Sequence, residues 1–328
     1  MSDSLSTGNG HGRMRAETLE IHFPDIVERP ARMRRRPLWP ALILFLLTVV
    51  STLAVGAEFA GSYTRNQEPF SSNPNPFRTM IVPFQHPEML VLGIPFSFTL
   101  LTILFAHEMG HYIACRIYGI DVSYPYFIPA PTLFGTFGAF IRIRSPIPTR
   151  RVLFDIGAAG PVAGFTVAVP AMLYAAATSK IVPEAQYGAG VIFGNPLLVR
   201  LSIALFHPHV DSNWVLLSPV GRAAWVGFFV TALNLLPAWQ LDGGHVLYSL
   251  TSRFHRYVTF AISIALILLG YLAWPGWYVW GGLILVLSLR FRHPPLLAPW
   301  EPLGASRRAW AVAVFVIFVL CFILSPVR

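Results

Sequence analysis

Charged side chains are so scarce in this chain that several long apolar segments carry none. Of its 328 residues, 55% are apolar and 12% are charged, whereas soluble proteins carry about 25% charged residues. Several apolar segments approach the ~20 residues that cross the hydrocarbon core of a bilayer. The composition therefore excludes a soluble fold and predicts a polytopic membrane protein.

The positions of the arginines predict how the chain lies in that membrane. The formal net charge is +9, and almost all of the basic residues are arginines. Seven arginines precede the first apolar segment, which fits the bias of basic residues toward the cytoplasmic side better than it fits a nucleic-acid partner. We predict an integral protein of the bacterial plasma (inner) membrane, with residues 1–37 as a cytoplasmic polar tail and residues 38–328 as the transmembrane domain.

Apolar segments predict an all-α fold with about seven transmembrane helices. Between residues 191 and 206 an apolar stretch is interrupted by Arg200, and an interfacial, a re-entrant and a spanning helix all remain open there. The predicted spans are about 38–57, 89–118, 152–178, 214–236, 257–273, 277–289 and 309–324.

A stretch between the second and third spans breaks the helical pattern. Prolines and glycines between residues 119 and 151 exclude a continuous helix. In Ala139–Arg144 the side chains alternate with the period of a strand. We predict a membrane-associated β-hairpin here. It should line a cavity, because non-helical backbone at membrane depth is tolerated only where protein buries it or water reaches it.

The second span contains the pattern H-E-x-x-H, formed by His107, Glu108 and His111. Residues four apart share one face of a helix, so the two imidazoles can bind one metal ion while Glu108 projects toward bound water. Composition predicts on the order of 0.01 chance occurrences of this pattern. Ionisable residues within a span mark a functional site by default, although such groups can also hydrogen-bond one another and join helices.

A third metal ligand has to come from elsewhere in the chain, since catalytic zinc sites usually have three protein ligands. The best candidate is Asp242, in the segment Asn234–Gly244, where Pro237 and two glycines break the helix. In the predicted topology this segment lies at the depth of His107 and His111. Both motifs fall toward the cytoplasmic side.

The two motifs together resemble the paired signatures of the site-2 proteases, which are intramembrane zinc metallopeptidases. The similarity holds in residue type, spacing and order, and it extends to residues 135–140, 157–161 and 293–295. These resemble the branch of plastid enzymes linked to gravitropism and greening. The resemblance covers about residues 89–310 and leaves out the tail. Only about 35 residues separate the third and fourth spans, too few for the PDZ domain that many family members carry.

The resemblance implies a fold, an activity and roles for particular residues. It implies a three-helix catalytic core, at about residues 89–250, one zinc ion per chain, and hydrolysis of a transmembrane segment of a membrane protein, as in regulated intramembrane proteolysis. A lipid bilayer and a transmembrane substrate would be the partners, with no nucleic acid. By this transfer the zinc ligands would be His107, His111 and Asp242, the general base Glu108, and the substrate-binding residues Asn234, Gly135, Gly138 and Phe140.

Two other functions stay open at this point. A membrane zinc peptidase of the type that trims prenylated proteins also places H-E-x-x-H in a span, but it takes a glutamate as its third ligand. The only glutamates after Glu108 in the sequence are Glu184 and Glu301. A metal transporter, which would use the same ionisable residues as a permeation site, is the second alternative.

Overall fold

The fold is described here from a computed structural model of the chain, over residues 37–70, 81, 83, 85–182, 191–291 and 293–327. Apart from residue 37, the predicted polar tail lies outside the described residues. A 3₁₀ segment, Pro87–Gly93, leads directly into the second helix. The helices of the described part are α1 Trp39–Thr64, α2 Ile94–Ile117, α3 Arg150–Thr178, α4 Leu197–Phe206, α5 Pro219–Asn234, α6 Asp242–Leu250, α7 His255–Leu272, α8 Gly276–Arg290 and α9 Ala305–Cys321.

Four helical segments of the described chain are long and apolar enough to cross a bilayer, namely 39–64, 87–117, 150–178 and 255–272. A helical membrane protein is therefore confirmed, but seven spans are not. The helices at the other three predicted spans, α5, α8 and α9, contain 16, 15 and 17 residues. These lengths fall short of the ~20 residues that cross the hydrocarbon core.

The apolar stretch at 191–206 contains a short helix, α4. Its 10 residues extend only about 15 Å, half the thickness of the hydrocarbon core, so a spanning helix is excluded. Arg200 lies within this helix, and its side chain donates from Nε to the carbonyl of Asn195 over 3.0 Å. Val199 and Ile203 are buried on the side where α4 packs on α3.

Three helices, α2, α3 and α5, pack against one another at the centre of the protein. Small residues allow this close approach. A methyl group on Gly110 would overlap the carbonyl of Ala159 in α3, and one on Gly227 would lie 2.9 Å from the side chain of Ile103 in α2. Because α5 is buried along nearly its whole length, it contacts protein rather than lipid.

The predicted β-hairpin is present, with different strand boundaries. β1 (Tyr126–Pro129) and β2 (Thr136–Phe140) pair antiparallel, so the predicted strand Ala139–Arg144 is wrong in its bounds. Beyond Phe140 the regular pairing is interrupted, because the backbone N–H of Arg142 donates to the hydroxyl of Ser123 at 2.8 Å instead of to a strand carbonyl. A single bridge between Val122 and Ile143 follows. A second small sheet joins β3 (Lys180–Ile181) to β4 (Val215–Leu216).

The first helix, α1, holds the hairpin in place. The hydroxyl of Ser51 donates to the carbonyl of Gly135 at 2.6 Å, and the rings of Phe45 and Phe127 meet edge to face, 5.1 Å between centroids. Gly135 has a φ of +76°, a backbone conformation in which glycine carries no steric cost. The hairpin is therefore fixed between α1 and the central helices.

A buried ion pair connects the segment after α1 to α5. The guanidinium of Arg222 donates to the Glu68 carboxylate at 2.9 Å, and both side chains are less than a tenth exposed. Arg222 also lies over the ring of Phe193, 4.8 Å from its centroid. Each of these buried charges is stabilised by the other, because no water or other ion would reach either one if its partner were removed.

We expect Glu68→Ala to destabilise the protein strongly. Removal of one partner leaves the Arg222 cation buried and uncompensated, which costs about 3–5 kcal/mol. Thermal unfolding in detergent measures the loss. Glu88→Ala is the matched control, because the carboxylate of Glu88 is 71% exposed. Equal unfolding midpoints for the two variants would contradict the structural role of the pair.

Candidate metal centre

Two buried histidines and one partly buried aspartate bring their ligand atoms to one point between α2 and α6. The Nε2 atoms of His107 and His111 lie 3.2 Å apart. Oδ2 of Asp242 lies 3.2 Å from the first and 3.3 Å from the second. The three atoms thus form a nearly equilateral triangle.

The dimensions of this triangle fit one tetrahedral metal ion. Zinc binds imidazole nitrogen at 2.0–2.1 Å and carboxylate oxygen at 2.0–2.2 Å, which places neighbouring ligand atoms of a tetrahedron about 3.3–3.4 Å apart. Two imidazoles and one carboxylate are also a donor set that zinc accepts. Among the described residues this is the group of histidine, cysteine, aspartate or glutamate side chains that can hold a metal ion.

With neutral imidazoles, a hydrogen bond does not account for the contact between His111 and Asp242. Nδ1 of His111 donates to the carbonyl of Ile156 in α3 at 2.7 Å, so its Nε2 carries a lone pair. That lone pair faces the Asp242 carboxylate, where a cation would stabilise both. The same hydrogen bond fixes the tautomer of His111 that binds a metal through Nε2.

Glycines of α3 provide the space for the two imidazoles. A methyl group on Gly160 would overlap the His111 ring, and one on Gly164 would lie 3.1 Å from Cβ of His107. The two glycines are four residues apart, as the two histidines are. This matched spacing is the signal in the sequence that could have identified them as supports of the metal ligands.

Asp242 begins α6, and the glycines after it set its position. A methyl group on Gly243 would overlap the carbonyl of Leu235, and one on Gly244 that of Trp239. The backbone at the start of α6 therefore packs directly against the segment that ends and follows α5, and a residue with a side chain would not fit at either glycine. This close packing places the carboxylate of Asp242 beside α2.

The remaining predicted site residues lie at different distances from the ligands. Glu108 receives a hydrogen bond from the backbone of Ile141, just after β2, and Nδ2 of Asn234 lies 3.3 Å from Nε2 of His107. Phe140 contributes to the same cavity, whereas Gly135 faces α1 and a methyl group on Gly138 would meet nothing within 4 Å.

A cavity of about 200 Å³ surrounds the three ligands. One wall is formed by the residues that end and follow β2, and another by the end of α5 and the start of α6. Two further polar side chains, Gln240 and His245, belong to the second wall. The full lining is His107, Glu108, His111, Ala139, Phe140, Ile141, Ile143, Ile156, Asn234, Gln240, Leu241, Asp242 and His245.

We expect Gly160→Ala to weaken metal binding by about 10–100-fold, the usual effect of disturbing the support of a metal ligand. The added methyl group displaces the His111 ring, while alanine favours the helix by up to about 1 kcal/mol. Metal affinity measured against a competing chelator tests this. Gly282→Ala in α8 is the control, because a methyl group there meets nothing within 4 Å. Unchanged affinity in the first variant would disprove the supporting role.

Comparisons with known proteins agree with the metal site. A family described as Peptidase family M50 matches residues 95–272, which include His107, His111 and Asp242. The "Probable zinc metalloprotease EGY1, chloroplastic" of Oryza sativa subsp. japonica is 30% identical over 298 residues, 86% of this chain and 50% of the relative. The Arabidopsis thaliana protein of that name is 31% identical over 292 residues, 85% of this chain and 52% of the relative.

A further relative covers less of the chain. The "Probable zinc metalloprotease EGY2, chloroplastic" of Arabidopsis thaliana is 29% identical over 177 residues, 52% of this chain and 31% of the relative. The chain spans about half the length of the EGY1 relatives that it matches.

These relatives contradict the predicted bacterial plasma membrane. They are named as chloroplastic proteins of plants. The prediction rested on arginine positions, which indicate the side of a membrane toward which a loop lies but not the organelle that contains it. The family prediction, in contrast, is confirmed. Because the family match covers more than half of its residues, the chain belongs to peptidase family M50.

Proposed function

We propose that the chain is a zinc-dependent endopeptidase embedded in a membrane, and that it hydrolyses a peptide bond in a transmembrane segment of another membrane protein. The observation that carries this proposal is the triangle of His107, His111 and Asp242 beside Glu108, on a helix long enough to cross a bilayer. The names of the relatives support zinc as the metal, and a plastid membrane as the location. Regulated intramembrane proteolysis is the process that this activity would serve.

Two imidazoles and a carboxylate would hold the zinc ion. When bound, zinc polarises the carbonyl of the scissile bond and lowers the pKa of water. Glu108 accepts the proton of the attacking water and passes it to the leaving amine. The backbone hydrogen bond from Ile141 orients the Glu108 carboxylate for both transfers. Asn234, beside His107, donates its amide N–H to the oxygen of the carbonyl under attack.

The hairpin would bind the substrate as an added strand. A membrane helix has to unwind before its carbonyl is accessible, and its freed backbone groups then need partners that lipid does not provide. Within the described residues β2 pairs only with β1, so its second edge can accept another chain. Phe140, at the end of β2, would contact that chain next to the metal site.

The two alternative functions are less well supported. Asp242, an aspartate, completes the ligand triangle, whereas the peptidases of prenylated proteins take a glutamate. Family membership also favours a peptidase over a transporter. A transporter would carry metal across a vesicle membrane without producing peptide fragments.

We expect Glu108→Gln to retain zinc and to lose cleavage of a model transmembrane substrate in liposomes. Glutamine keeps the size of the side chain but accepts no proton, and loss of a general base typically costs 10²–10⁴-fold in rate. Fragment formation and metal content are measured on the same preparation. Glu88→Gln, at an exposed glutamate, should cleave normally. Residual wild-type turnover in Glu108→Gln would refute the assigned base.

We expect His107→Ala and Asp242→Ala each to lose bound zinc, since either change leaves two ligands where three are needed. Elemental analysis of the purified proteins should give about one zinc per chain in the wild type and a strong reduction in both variants. A full zinc content in Asp242→Ala would instead point to a different third ligand. That result would reopen the prenyl-protein alternative.

A further inference from the structure

The wall of the cavity opposite β2 is the part of the site to which the proposed mechanism assigns least. A strand added to β2 forms hydrogen bonds along one edge, and its other edge faces the end of α5 and the start of α6. Backbone groups on that edge also need partners, because unsatisfied ones are costly away from water. Apart from the metal ligands and Glu108, the polar side chains of this lining are Asn234, Gln240 and His245.

The hydrogen bonds around His245 determine which of its nitrogens carries the proton. Nδ1 of His293 lies 2.9 Å from the carbonyl of Pro294, and a carbonyl only accepts, so this nitrogen donates. In a neutral imidazole the other nitrogen then carries a lone pair. Nε2 of His293 therefore accepts from Nδ1 of His245, 2.9 Å away. By the same rule Nε2 of His245 carries a lone pair.

Several contacts hold His293 in this position. Its ring stacks on Tyr248 with 3.8 Å between centroids. The loop that carries it is bound to the segment before α3, since the N–H of Ala298 donates to the carbonyl of Pro148 at 2.8 Å. Burial lowers the pKa of His293 to about 4, so the ring is neutral near pH 7. The relay thus ends on a fixed backbone carbonyl.

We propose that His245 accepts a backbone N–H of the bound substrate through its Nε2 atom, and that His293 is the positioning residue that fixes this tautomer. The inference rests on the proposed peptidase function. His245 would then bind the edge of the substrate strand that β2 does not pair with. His245 follows Asp242 by one turn of α6, so the same short helix carries a metal ligand and a substrate contact.

Two substitutions of His293 separate its tautomeric role from its packing role. His293→Phe keeps a ring on Tyr248 but removes the acceptor for Nδ1 of His245. His293→Gln loses the ring but keeps an amide oxygen that can accept the same hydrogen bond. We expect His293→Phe to lower kcat/KM about tenfold, the usual effect of one unsatisfied polar group. The loss should lie in KM, because the contact is made equally in the ground state and the transition state.

The expected pattern is a loss in His293→Phe, recovery in His293→Gln and full zinc content in both. His209→Phe, at an exposed histidine, should behave as the wild type. Wild-type kcat/KM in His293→Phe would overturn the inference. A larger loss in His293→Gln than in His293→Phe would also overturn it, since that order indicates packing rather than an acceptor.

Substrates with a single amide replaced by an ester test the contact of His245 directly, because the ester lacks the N–H. We expect one ester position near the cleaved bond to lower kcat/KM in the wild type and to have no further effect in His245→Phe. Additive losses at every position would overturn the contact. Failure of the proposed function has a different result, since the wild type would then produce no fragments, or Glu108→Gln would still produce them.

Discussion

Each ionisable side chain in the apolar interior of this protein needs a partner from the chain itself, because lipid offers neither hydrogen bonds nor counter-ions. Arg222 meets this requirement through Glu68, 2.9 Å away. The three metal ligands meet one another, in a geometry that suits a cation. Where the helices lie is therefore determined as much by these few polar contacts as by apolar packing.

The metal ligands impose this requirement most strictly on α3. Both imidazoles pack against that helix: a methyl group at position 160 would overlap the His111 ring, and one at position 164 would lie 3.1 Å from Cβ of His107. The carbonyl of Ile156 accepts from His111 and so fixes its orientation. Although α3 contributes no ligand of its own, its backbone determines where the ligands from α2 can be.

The sequence predicted the local chemistry of the site better than the shape of the fold. Helical spacing relates His107 to His111 within one element, so the pattern alone was sufficient to place them together. Asp242 was expected from chemistry and family resemblance, and the structure brings it to the same point. The roles of Asn234, Gly135, Gly138 and Phe140 depend on a bound substrate and stay predictions. The relay from His245 to His293 joins distant segments, and no periodicity in the sequence indicates such a contact.

The predicted count of seven spans is not confirmed, and α5 shows one physical reason. Hydropathy reports whether a segment avoids water, and a helix buried in protein avoids water as well as one in lipid. α5 is of this kind, since it is apolar, 16 residues long and enclosed by its neighbours. The end of β2 at Phe140 was equally hard to predict from the sequence. A hydrogen bond to the side chain of Ser123 interrupts the regular pairing there, whereas the alternating pattern of side chains continues to Arg144.

For the proposed hydrolysis, these contacts limit how a substrate can be selected. The edge of β2 and the acceptor on His245 would both bind main-chain groups, which every substrate carries. Selection by side chain would then be left to the apolar lining, which includes Phe140, Ile141 and Ile143, and one methylene in such a lining discriminates only about 10–200-fold. Unwinding adds a difference of similar size, since glycine and proline weaken a helix by about 1 and 3 kcal/mol relative to alanine. A site built on main-chain contacts should therefore favour transmembrane segments that are already poor helices near the cleaved bond.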